Sequence, residues 1–180
     1  MSLDALTAPQ PQAAHAYWLK KCRDRAMPAP NDVNPADIPR LLPYITLIEI
    51  LYEEPIDYLY RIEGEAVRMA FGVKRMGKRL SEMREHMGAA YPGLLARLDA
   101  VRTSGEPLAH SSMLTMLSRR LFALEAVLLP LSHDGGKVER ILACTGFIAQ
   151  PLDEIADISS YPSGTSPSRE GACPPVRKAV

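Results

Sequence analysis

Two runs dense in β-branched and aromatic residues, Tyr44–Tyr52 (YITLIEILY) and Ile56–Glu63 (IDYLYRIE), are separated only by Glu53-Glu54-Pro55. Such side chains fit a pleated, half-buried surface better than a helix. A parallel pair would need a crossover of a dozen or more residues, so a three-residue link makes the pair an antiparallel hairpin. Three further strand-like runs come late in the chain, over Pro107–Leu117, Leu121–Ser132 and Val138–Ala149. Asp134-Gly135-Gly136 joins the last two with a hairpin turn. Pro130 lacks a ladder donor and belongs at an edge or strand end.

Between the hairpin and this meander the pattern is helical. Glu65–Phe71 fits one or two turns ended by Gly72, and Met76–Met83 reads as another short piece after Gly77. Ala89–Ser104 is longer, with Leu94, Leu95, Leu98 and Val101 as its apolar stripe and Gly105 as its C-terminal cap. Two hairpin strands and three meander strands can join in one antiparallel sheet, with the short helices covering one face. The expected class is therefore α+β.

The flanks read differently. Residues 1–10 look frayed. From Pro11 to Ala26 a helix is expected, with Ala14, Trp18 and Cys22 on one face and Tyr17 beside them. Met27-Pro28-Ala29-Pro30 stops it. Asn34-Pro35-Ala36-Asp37 supplies an N-cap, a proline at the first helical position and an acidic first turn for a short connecting helix. The chain thus divides into a flexible start (1–10), a helical N-terminal segment (11–43), a core (44–150) and a flexible tail (151–180). Residues 159–180 in particular are rich in Ser, Pro and Gly and too poor in large apolar residues to offset the ordering entropy.

A chain of 180 residues can build one real core. Its formal net charge of zero gives no support to broad binding of nucleic acid or anionic membrane. The start lacks a basic, then apolar, leader pattern, and the longest apolar runs are too short to span a bilayer. The expected compartment is the cytoplasm. Cys22, Cys144 and Cys173 are odd in number and form no CxxC, so reduced thiols are expected and no metal site.

The order of elements resembles the PAS fold. Tyr60-Arg61-Ile62-Glu63-Gly64-Glu65-Ala66, then Phe71-Gly72, then Met76-Gly77-Lys78-Arg79-Leu80, is similar to the PAS passage from the second strand through the short helices. A bacterial PAS-like family is closer still. Its marks are Tyr17-Trp18, Met27-Pro28, Asn34-Pro35-Ala36-Asp37-Ile38, Leu42-Pro43, Tyr60-Arg61 with Gly64, Gly72, Gly77-Lys78 and Leu129-Pro130-Leu131. Their order and spacing carry the likeness from about Tyr17 to Phe147. The resemblance implies a five-stranded antiparallel sheet whose first and last strands meet at the centre. It also implies a stand-alone sensory, ligand-binding or adaptor role, exerted through a partner or a homodimer.

No phosphate-cradling glycine loop, HExxH or GxSxG is present. Flavin photosensors of the PAS type carry an Asn-Cys motif before the long helix, and no cysteine lies between Cys22 and Cys144, so flavin-cysteinyl photochemistry is not supported. His86 lies where haem-binding PAS domains can place an iron ligand. With no second signal it reads as a loop histidine, so haem is not supported and the cofactor is left unknown.

The candidate ligand-binding residues are Arg61, Glu49, Glu125 and His110. Glu49 and Arg61 fall mid-strand in the hairpin, on one face or a diagonal. They form a structural ion pair, or else Arg61 points into the domain and holds a small anionic metabolite in an otherwise apolar pocket. Glu125 is a further partner for it, and His110 either packs on the sheet or joins the site. Tyr17 and Trp18 either pack on the sheet or form a homodimer contact. The competing class is a cone-shaped α+β isomerase or lyase, for which Asp57, Glu125 and His110 are the available acid–base groups.

Overall fold

The computed structural model describes residues 1–115 and 121–149. The expected tail (151–180) and Cys173 lie outside the described residues. The strands are β1 (Ile45–Leu51), β2 (Asp57–Glu63), β3 (Leu108–Thr115), β4 (Leu121–Leu131) and β5 (Arg140–Ala149). They form one antiparallel sheet in the order β2-β1-β5-β4-β3. The first and last strands are neighbours, as the resemblance implied, and all five strand-like runs became strands.

The helices are α1 (Pro9–Cys22), α2 (Glu65–Phe71), α3 (Arg84–Met87) and α4 (Ala90–Ser104). Gly72 and Gly105 end α2 and α4 in the left-handed conformation, with φ of 68° at both, the cap that glycine adopts without Cβ strain. Leu98 and Val101 of α4 are fully buried. The Asn34 side chain accepts the Ala36 N–H at 3.0 Å and opens one 3-10 turn, Pro35–Asp37.

The two faces of the sheet have different covers. One face looks toward α2, α3 and α4. On the other, α1 lies over β4 and β5. It comes so close at Gly146 that a Cβ there would meet the Ala8 Cβ at 2.6 Å and the Pro11 Cδ at 2.9 Å. Ala14, Trp18 and Cys22 are buried in this interface. The Trp18 indole N–H donates to the Pro130 carbonyl at 2.8 Å. Pro130 lies beyond Leu128, the last β4 residue that pairs with β3, so its missing donor costs no bond to that neighbour.

Two expectations about the chain path are corrected. Residues 1–10 are docked rather than frayed: Leu6 and Ala8 are buried, and the N–H groups of Thr7 and Ala8 are hydrogen-bonded to Glu125. Residues 76–80 are not helical. They run along the outer edge of β2, where Tyr60 donates to the Lys78 carbonyl at 3.1 Å, Gly77 to Tyr60 at 2.7 Å and Leu80 to Tyr58 at 2.8 Å. The unpaired edge of β2 takes these partners, and only Ser81–Met83 remains as a helical turn.

Candidate functional site

A cavity of about 540 Å³ lies between the sheet and the helices. Its walls are largely apolar, with Ile48, Leu94, Leu124, Leu128, Ala143 and Phe71 among them. Volume and lining are those of a small-molecule pocket. At the β2 end stand Tyr60 and Arg75, and at the β3 end stand Arg97, His110 and Ser112.

A β-bulge builds the β2 end. Leu47 pairs with Ile62 but Ile48 pairs with Tyr60, so Arg61 is the extra residue of β2. Unbroken alternation would place Ile62 on the same face as Tyr60. The bulge instead turns Ile62 outward, where it is 49% exposed. It turns Glu63 inward, opposite Thr46, where its side chain is 1% exposed. There Glu63 meets Arg75: Oε1 accepts from the guanidinium Nε at 2.5 Å and Oε2 from the Arg75 backbone N–H at 2.9 Å. The guanidinium lies 5.0 Å from the centre of the Tyr60 ring and 4.5 Å from that of Phe71. Paired and hydrogen-bonded in this way, the two charges can remain buried.

Tyr60 is buried, and its hydroxyl has no hydrogen-bond partner among the described residues. Burial raises its pKa, while the nearby Arg75 pulls the other way, and the group stays a neutral phenol. At the opposite end His110 pairs across β3 and β4 with Ala126. Burial, and then the charge of Arg97, hold its pKa below the ordinary histidine value. Arg97 is half-buried on α4, and burial lowers its pKa.

Of the residues singled out in the sequence, His110 lines the cavity, and His86 stands at its rim on α3. Arg61 does not line it. It is ion-paired with Glu49 on the other face, and its side chain is 51% exposed. The structural alternative for this pair is the one the geometry takes; the expected anion site at Arg61 is corrected, because Arg61 directly follows the cavity-lining Tyr60 and strand alternation turns it to the opposite face.

Glu125 is likewise on the far face, between the cavity-lining Leu124 and Ala126. Its carboxylate accepts from Thr7 N at 2.7 Å, Ala8 N at 2.7 Å and the Thr7 hydroxyl at 2.8 Å, capping α1 from the sheet. Asp57 accepts from Tyr58 N at 2.8 Å and from the Ser81 hydroxyl at 2.5 Å, which fixes the turn after the edge segment. The three groups of the acid–base alternative therefore do not converge.

Trp18 is 4% exposed within its own domain and presents no free indole face. Tyr17 is half-buried; its hydroxyl accepts from Asn34 N at 3.0 Å and lies 3.3 Å from the Asp37 carboxylate. Cys144 projects away from the cavity, between Ala143 and Thr145, and burial pushes its thiol up to about 12. Among the described residues no cluster of three His, Cys, Asp or Glu could hold a metal, and no helix is long and apolar enough to cross a membrane.

Tyr60, Glu63, Arg75 and Arg97 were missed as site residues. Tyr60 stood within the quoted family marks but carried no charge to draw notice. Arg97 had one signal, a helix-interior Gly93 four residues earlier.

A family model described as PAS domain matches residues 6–146. No curated protein sequence matches the chain. Among solved structures, the chain is similar to a Rhodobacter sphaeroides LOV protein at 11% identity and TM-score 0.46, covering 67% of this chain and 72% of that one. It is also similar to a single-residue variant of RsLOV at 10% identity and TM-score 0.43, covering 68% and 73%.

Proposed function

Given that the chain belongs to the PAS domain family, we propose that it is a sensory domain holding a small molecule between the sheet and α2–α4. One observation carries this reading: a largely apolar cavity of about 540 Å³ has Tyr60 in its wall, and the buried Tyr60 hydroxyl has no hydrogen-bond partner among the described residues. Leaving such a group unsatisfied costs about 1–3 kcal/mol. A ligand with a matching polar atom removes that cost, and the surrounding apolar wall adds burial.

The same strands support a route for the signal. Leu124 and Ala126 of β4 face the cavity, while Glu125 between them holds the start of α1. A change in occupancy that shifts β4 acts on α1, and through it on a partner chain or a second copy. The role is one of binding rather than catalysis, since Asp57 and Glu125 are both engaged away from the cavity.

The test is a thermal-shift screen of small-molecule fractions extracted from the source cells. It compares wild type with Ala126→Trp, whose indole enters the space a ligand would fill. At least one fraction should raise the wild-type Tm and leave that of the variant unchanged. Equal shifts in both proteins, or none in wild type, would remove the support for a ligand in this cavity.

A further inference from the structure

The charges around the cavity are one-sided. Arg75, Arg97, His86 and His110 line it, and among the described residues no carboxylate does. Arg75 is already neutralised by Glu63 behind the wall. Arg97 makes no ion pair among the described residues. A guanidinium stays protonated at any ordinary pH, so a partly buried one without an anion is held at a cost.

The local build favours that placement. Long side chains on a helix lean back toward its N-terminus, over the residue four earlier. For Arg97 that residue is Gly93, where a Cβ would come within 3.3 Å of the Arg97 Nη1. Glycine inside a helix costs about 1 kcal/mol relative to alanine. Here it leaves the guanidinium room at the cavity wall, near His110 and Ser112.

The two ends of the cavity therefore differ. Tyr60 on β2 and His110 on β3 lie at opposite edges of the sheet, four strand spacings or roughly 19 Å apart. The Tyr60–Arg75 end is polar but neutral. Leu124, Ala126, Leu128 and Ala143 floor the apolar stretch between. We infer that the molecule held in this cavity is an amphiphilic acid, its carboxylate on the Arg97 guanidinium beside His110 and its apolar chain along β4 and β5 toward Tyr60. This rests on the ligand-binding reading above and adds the chemical class of the ligand.

Decanoate and decanol share a chain and differ at the head, so titration calorimetry of the full chain with each isolates the head. Wild type should bind decanoate at least tenfold more tightly than decanol. Arg97→Met should weaken decanoate by roughly tenfold to a hundredfold, the range for a lost charge-assisted hydrogen bond, and leave decanol unchanged. Arg97→Lys, which keeps the charge but not the fork, should fall between the two and covers the case in which the methionine variant folds poorly. Equal affinity for acid and alcohol in wild type would overturn the inference, as would an acid affinity indifferent to Arg97→Met. Failure of both probes to bind would also overturn it. The cavity reading would then still stand if wild type showed the thermal shift that Ala126→Trp lacks.

Discussion

Glu125 should be among the most stabilising charged residues of the domain. Its carboxylate takes three hydrogen bonds at 2.7–2.8 Å from Thr7 and Ala8, at the start of a helix whose own N-cap, Ala8, has no side chain able to cap it. Glu125→Leu strands the Thr7 and Ala8 N–H groups at about 1–3 kcal/mol each. Part of that is offset because a leucine no longer buries a carboxylate. The net loss should be about 2–4 kcal/mol, a Tm fall of roughly 5–15 °C for a domain this size. Glu125→Gln is the control. Both backbone N–H groups point to one oxygen, which an amide retains, and its NH2 can donate to the Thr7 hydroxyl, so about 1 kcal/mol should be lost.

The pH dependence of this site has a definite sign. Burial tends to raise the Glu125 pKa, but the hydrogen bonds from Ala8 and Thr7 outweigh it and hold the carboxyl below its ordinary value. Its contribution is then complete above the unfolded value of about 4.3 and declines as the pH falls below it. Wild type should therefore lose more stability on acidification than Glu125→Gln. Thermal melts followed by Trp18 fluorescence report on both the fold and the docking of α1. A Glu125→Leu protein melting within a degree of wild type would refute the cap.

Arg61→Leu and the Glu49→Leu/Arg61→Leu double variant should each stay within about 1 kcal/mol of wild type in denaturant titrations, because the pair is on the surface. A larger loss would place Arg61 in the core energetics. Trp18→Ala should cost about 3–5 kcal/mol, as expected for a buried aromatic; a shift toward monomer in sedimentation at unchanged Tm would show instead that the indole serves association. His110 has a folded pKa below its unfolded one, so acidification protonates the unfolded chain first and stability should fall as the pH drops below about 6.5. His110→Gln should flatten that fall, and an unaltered pH profile would contradict it.

The sheet was legible because its cues are local. The runs from Tyr44 and Ile56, the Asp134-Gly135-Gly136 turn and the two capping glycines each constrain a few neighbouring residues; short links set the β1–β2 and β3–β4–β5 neighbours, while the central β1–β5 pairing was implied only by the family resemblance. The site was less legible because it depends on one register shift. Period-two reasoning treats Arg61 and Glu63 as one face, and a bulge at Arg61 separates them. No pattern within a strand reports where an extra residue is accommodated. The same limit applies to Glu125, whose partners Thr7 and Ala8 are more than a hundred residues away. The sequence around Trp18 suits core and interface equally; the Pro130 carbonyl, which accepts the indole N–H and lies more than a hundred residues away, places it in the core.

The ligand-binding claim is tested most directly by native mass spectrometry of the full chain purified from its own source cells, with the same sample then measured under denaturing conditions. The account predicts an added mass in the native spectrum, lost on denaturation, and its absence from Ala126→Trp purified in the same way. A wild-type protein with no added mass, or one whose added mass persists in Ala126→Trp, would contradict it.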